Sequence, residues 1–168
     1  MRTVRIIRTR ELNGLEIRNV RMFAHSVSFA HLMKYQLKRD DLLFPGLSFK
    51  LNGVLFDVSK QLGGGHREQY YQKAVAIALE QAKIPFREQV YAPLVYNGKV
   101  IGKYYLDFLV DEKIILELKR GQFVPATVIN QTKEYLSALQ RDLAIIACFT
   151  YSGVVIKRII NPGTVPRS

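Results

Sequence analysis

The chain has 168 residues, enough for one domain with a substantial buried core, and 48% of them are apolar. Its longest apolar run, Leu143 to Phe149, covers seven residues, against the roughly 20 that a membrane helix needs. No apolar signal-peptide core opens the chain, and the single cysteine, Cys148, sits inside the apolar run. A membrane-spanning protein and a disulfide scaffold are therefore excluded as expectations, and a cytoplasmic protein with a buried thiol is predicted. A formal net charge of +11 favours a polyanionic partner, nucleic acid first.

The charge is uneven along the chain. Residues 1–50 hold 10 Lys and Arg against 4 Asp and Glu, with Arg2, Arg5, Arg8 and Arg10 punctuating short apolar stretches. No firm period runs through residues 1–42, which are read as a basic N-terminal extension. An organelle transit peptide is weighed against Glu11, Glu16 and the scarcity of Ser. Pro45-Gly46 marks the boundary to a domain spanning 43–162, and 163–168 form a short tail.

From there the pattern becomes regular. Leu51, Val54, Leu55, Val58 and Leu62 recur at helical spacing. Gly63-Gly64-Gly65 interrupts, and a second helix is predicted from about His66 to Lys83, with Tyr71, Val75 and Leu79 inward. Phe86 to Tyr96 reads as a strand, Asn97-Gly98 as a type I′ hairpin turn, and Val100 to Val110 and Lys113 to Lys119 as two further strands. Pro125 opens a helix to about Leu139, and Leu143–Thr150 and Val154–Ile160 close the domain as strands. The order predicts an α/β fold, a mixed central sheet flanked by helices with an antiparallel hairpin at its centre.

That hairpin carries the candidate chemistry. A turn centred on Glu112 sets residue 109 opposite 115 and Asp107 opposite Glu117, with Lys119 on the face of Glu117. Two carboxylates that close repel unless a cation or a proton sits between them. Hard cations such as Mg²⁺ take such oxygens, and an adjacent Lys suits metal-assisted phosphodiester hydrolysis. The alternative is that both acids end strands in solvent, with Lys119 as an ordinary ion-pair partner. The apolar flanks Leu106, Phe108–Val110 and Ile114–Leu116 argue against it, because they read as strands covered on both faces. Glu68, early in the second helix, and Gln131, early in the third, are further candidates. The glycine run lacks the Lys-Ser/Thr ending of a P-loop, which excludes that class of nucleotide triphosphatase.

These residues also carry a resemblance. Gly65-His66-Arg67-Glu68-Gln69-Tyr70-Tyr71 matches a G-x-x-E-x-x-Y signature. Asn52–Val58, Tyr105-Leu106-Asp107, Glu117-Leu118-Lys119, Asn130-Gln131 and Tyr135-Leu136 follow in the order that resembles the GxxExxY proteins, grouped with the PD-(D/E)XK nuclease-like superfamily. The resemblance covers about residues 43–162 and implies a restriction-endonuclease-like core, αβββαβ in outline. By position, Asp107 resembles the first motif Asp, Glu117 and Lys119 the E-x-K, Glu68 the acid on the first core helix, and Gln131 the later polar residue. Leu106 stands where the pattern has Pro.

The resemblance implies a Mg²⁺- or Mn²⁺-dependent nuclease acting on nucleic acid, DNA favoured, with Asp107, Glu117 and Glu68 as metal ligands. Arg67, Arg120 and Lys133 are expected to contact the phosphate backbone. Tyr70, Tyr71 and Tyr104 are candidates for stacking on bases, with core packing expected for at least two of them. Many nucleases of this fold act as dimers, which makes a homodimer an expectation. The alternative is a catalytically silent module of the same fold that binds nucleic acid or a protein.

Overall fold

The computed structural model describes residues 43–161, so the N-terminal extension and the tail proposed above lie outside the described residues. The elements run α1 (Pro45–Leu62), α2 (Glu68–Gln81), β1 (Phe86–Tyr96), β2 (Lys99–Val110), β3 (Ile114–Arg120), α3 (Ala126–Ala138), β4 (Leu143–Thr150) and β5 (Gly153–Ile160). The five strands form one sheet in the order β1-β2-β3-β4-β5. β3 and β4 pair in parallel, joined by the α3 crossover, and every other neighbouring pair is antiparallel. The predicted mixed α/β sheet is present, with the α1–α2 pair added in front of three strands, a helix and two strands.

Apolar spacing explains the two layers. Leu51, Val54, Leu55 and Val58 of α1 and Tyr71, Val75 and Leu79 of α2 cover one sheet face, meeting Phe108, Leu116, Leu118, Ile145 and Phe149. Ile129, Tyr135 and Leu136 of α3 cover the other, meeting Leu109, Ile115, Ala144 and Ile146. With helices on both faces, β4 is buried along its whole length, Cys148 included.

The turns obey local chemistry. Asn97 and Gly98 both have positive φ, 47° and 75°, as a type I′ hairpin requires. Pro45 sits in the first turn of α1, where a missing N–H costs nothing. α2 begins at Glu68 and not at His66, because His66 turns back on the preceding helix: its Nε2 donates to Leu62 O at 3.0 Å.

The glycine run has a packing reason. Gly63 ends α1 at φ 73°. Gly64 presses on the β4–β5 turn, so that an added Cβ would stand 2.5 Å from Tyr151 Cα and 2.6 Å from Thr150 O. Gly53, inside α1, has open space where a Cβ would go. Two opposite outcomes are expected in urea denaturation. Gly64→Ala should cost about 1–3 kcal/mol through forced displacement of backbone. Gly53→Ala should gain about 0.5–1 kcal/mol of helix propensity. Equal effects at the two positions would contradict the packing described here.

Candidate active site

The site forms where β2 and β3 part. Their ladder pairs Val110 with Ile114, Leu109 with Ile115 and Phe108 with Leu116, and there it stops. The register set by the turn is the expected one, yet Asp107 and Glu117 do not continue it as a paired rung. Instead Asp107 Oδ2 accepts the backbone N–H of Leu118 at 2.7 Å. The carboxylate takes a donor that a continuing ladder would have given to a carbonyl.

A local reversal of β2 accompanies this. Leu106 packs in the core under α3, whereas Phe108, two residues on, packs in the core under α1 and α2. A regular strand would place both on one face. Across the β1–β2 ladder, Glu88–Phe108 and Val90–Leu106 are paired, while the intervening Gln89 is unpaired with φ 49°. Both strands thus kink at the level of Asp107, as at a bulge.

Lys119 gathers the remaining acids. Its Nζ lies 2.7 Å from Glu117 Oε1, 3.4 Å from Glu68 Oε1 and 2.9 Å from Leu118 O. Glu68 reaches this point from the first turn of α2. Glu117 is only 5% exposed, between the buried apolar residues Leu116 and Leu118 of β3. Its second oxygen, Oε2, is buried with no hydrogen-bond partner among the described residues.

The electrostatics follow from this packing. Burial first, and Asp107 second, push the Glu117 carboxyl up to about 7, against the opposing pull of Lys119. Burial also raises Asp107, although the Leu118 N–H and Lys119 work against it. Burial alone would lower Lys119, but Glu117, Glu68 and Asp107 outweigh it and hold the ammonium above its ordinary value. Three carboxylates against one ammonium leave two negative charges uncompensated if all are ionised. Among the described residues no three His, Cys, Asp or Glu side chains converge as a ready-made metal cluster. Among the described residues Asp107, Glu117 and Glu68 each have one carboxylate oxygen engaged, and Glu68 joins the other two through Lys119.

Of the other residues singled out from the sequence, Gln131 is half-buried on α3, without a hydrogen bond among the described residues. It lies one helical turn before Tyr135, on the same helix face. Arg67 is exposed at the start of α2, Arg120 at the end of β3, and Lys133 on α3. Tyr71 is fully buried and stacked on Phe149 with ring centroids 4.2 Å apart, and its hydroxyl donates to Gly63 O. Tyr104 donates to Glu134, and its ring meets Tyr135 edge-on. Tyr71 is thus a core residue, Tyr104 is half-buried, and Tyr70 is exposed.

Sequence reasoning named Tyr135 within the Tyr135-Leu136 motif and missed its tie to the acids. Burial and then Glu117 push its phenol up to about 12, so it stays protonated beside the carboxylates. Its spacing of four from Gln131 was the available signal.

A pH dependence follows from Glu117. Its folded pKa of about 7 lies above the ordinary 4.5. The folded state therefore holds a proton between these values that the unfolded state has lost, and stability falls as pH rises through this window. Asp107 acts in the same direction. In EDTA, wild type should lose on the order of 1–3 kcal/mol more than Glu117→Gln between pH 5 and 8. Urea midpoints that move in parallel for the two proteins would refute this.

Comparison with known proteins agrees with this architecture. No curated protein matches the chain. The crystal structure of SSO0001 superposes with a TM-score of 0.46 at 14% identity, over 77% of this chain, which spans 61% of that one. The family model described as the PD-(D/E)XK nuclease superfamily matches residues 46–159, which contain the whole sheet but its last residue and every acid of the site. With the mixed five-stranded sheet and its flanking helices, that match identifies the chain as a member of the PD-(D/E)XK nuclease superfamily.

Proposed function

We propose that the protein is a Mg²⁺- or Mn²⁺-dependent nuclease that hydrolyses phosphodiester bonds of nucleic acid, with DNA the favoured substrate. One observation carries the reading. Glu117 is a buried carboxyl with an unpartnered oxygen, set beside Asp107 and Lys119 in a protein of net charge +11. An uncompensated buried carboxylate is expensive to keep, and a hard divalent cation is the partner that relieves it.

Asp107 and Glu117 would hold the ion, with the Leu118 carbonyl as a further oxygen and Glu68 assisting through water or Lys119. Mg²⁺ keeps several waters and needs only one or two carboxylates, which fits a pair better than a closed cage. When bound, the ion supplies charge neutralisation at the phosphate and a more acidic water. Lys119, held charged by its acidic neighbours, is no general base at neutral pH. It stabilises charge on the phosphate or positions the attacking water. The protonated phenol of Tyr135 donates rather than accepts. Gln131 orients the substrate from the same helix face, and Arg67, Arg120 and Lys133 neutralise the flanking backbone.

A second reading, a silent module that binds nucleic acid or protein, is favoured by one feature. Lys119 already satisfies Glu117 Oε1 and approaches Glu68, so the cluster has an internal counterion. Metal titration separates the two readings. Isothermal calorimetry should give Mg²⁺ or Mn²⁺ binding that Glu117→Ala abolishes, and the metal should raise the melting temperature of wild type alone.

Cleavage of labelled single- and double-stranded DNA and RNA should require Mg²⁺ or Mn²⁺. Asp107→Ala, Glu117→Ala and Lys119→Ala should each fall by at least roughly 100-fold while circular dichroism stays native. Full activity in all three variants rejects the nuclease. Size measurement during turnover tests the expected homodimer.

A further inference from the structure

The nuclease reading uses the acids but leaves unexplained a cleft beside them. It measures about 260 Å³ and lies between the Gly65-His66 loop and the β4–β5 turn, with Arg120, Phe149, Thr150 and Tyr151 completing its walls. Its walls adjoin the site covalently. Arg120 follows Lys119, and His66 stands two residues before Glu68. The volume is below the roughly 300–1,000 Å³ of a pocket for a whole small molecule. It suits part of a polymer unit lying across the cleft.

Its chemistry selects among such units. No acidic side chain lines it. Arg87, Lys113, Lys119 and Arg141 are all ion-paired, but Arg120 has no such partner among the described residues. A free guanidinium at the mouth of an acid-free cleft suits a phosphate. Tyr151 is 78% exposed, so its ring is open to solvent at the edge of the cleft. The ring lies over the glycine loop, since a Cβ on Gly65 would stand 2.9 Å from its Cε1. Gly65, at φ 89°, and Gly64, against Tyr151 Cα, let the loop approach that closely. A solvent-facing ring beside the cleft is a stacking platform for a base. His66 is anchored through Nε2 to Leu62 O, which leaves Nδ1 unused among the described residues.

A second hollow, about 530 Å³ between the end of α2 and the start of β1, offers no rival. It is lined by Glu80 and Glu88 against the single cation Lys83, a net negative lining that disfavours a polyanion. It also lies about 18 Å along α2 from Glu68.

We propose that the cleft between the glycine loop and the β4–β5 turn binds the nucleotide next to the scissile phosphodiester, its phosphate on Arg120 and its base on Tyr151. This rests on the nuclease reading and assigns the glycine run and Tyr151 a part in substrate placement.

The test is binding of short fluorescein-labelled oligonucleotides to the Glu117→Gln protein with Mg²⁺, with single abasic positions scanned along the strand. One abasic position should weaken binding by about 5- to 10-fold. Tyr151→Ala should weaken binding to the intact strand by a similar factor, and the two losses should not multiply. Tyr151→Phe should bind like the parent, because stacking survives. Arg120→Ala should weaken binding and lower the salt slope by about one phosphate contact. If wild type cuts nucleic acid but the abasic and Tyr151→Ala losses multiply or are absent, the subsite is overturned and the nuclease stands. If wild type neither cuts nor binds any strand, both readings fall together.

Discussion

The parting of β2 and β3 at Asp107 is the constraint on which the site depends. A sheet that continued its ladder past Phe108 and Leu116 would spend the Leu118 N–H on a carbonyl and bring two carboxylates face to face on a rung. The kink at Gln89 and Asp107 avoids both. It turns Leu106 to the opposite core from Phe108, frees one backbone donor, and gives that donor to the Asp107 carboxylate. The acid is oriented by the backbone of the neighbouring strand, a more rigid anchor than another side chain.

Glu117 shows the cost of such a site. It interrupts β3, whose other residues up to Leu118 are apolar and buried, and one of its oxygens has no partner among the described residues. Burial pushes its proton affinity towards neutrality, and Lys119 recovers only part of the lost hydration. A Leu or Ile there would suit the core better. Such local conflict between stability and environment is what functional sites impose. In a strongly basic protein it also concentrates negative charge at one point, while the surrounding field attracts polyanions.

The second half of the site is built by close approach of backbones. Tyr71 stacks on Phe149, and its hydroxyl holds Gly63 O, so α2 and β4 together fix the glycine loop. Gly64 then lies against Thr150 and Tyr151. Glu68 is delivered to Lys119 from the loop's far end. Gly64 and Gly65 are thus a packing requirement at the site's edge, while Gly63 serves the left-handed end of α1.

Much of this was legible in one dimension. Helical and strand periods located every element within a few residues, because the sheet is covered on both faces and leaves long apolar runs. Asn97-Gly98 and the Asp111–Lys113 turn determine their hairpins locally, so the pairing of Leu109 with Ile115 follows from counting. Counting failed two residues later. Alternation assumes an unbroken pleat, and the kink at Asp107 depends on contacts with α3, α1 and α2 from distant parts of the chain. The convergence of Glu68, across 51 residues, on Lys119, the place of Tyr135 beside the acids, and the cleft at Tyr151 have the same origin. The sequence by itself determined which residues could form strands, turns and an acid pair, since those follow from local sterics and burial. Only the tertiary structure decided how the acids point and which groups surround them, because orientation is set by packing between elements that no local pattern relates.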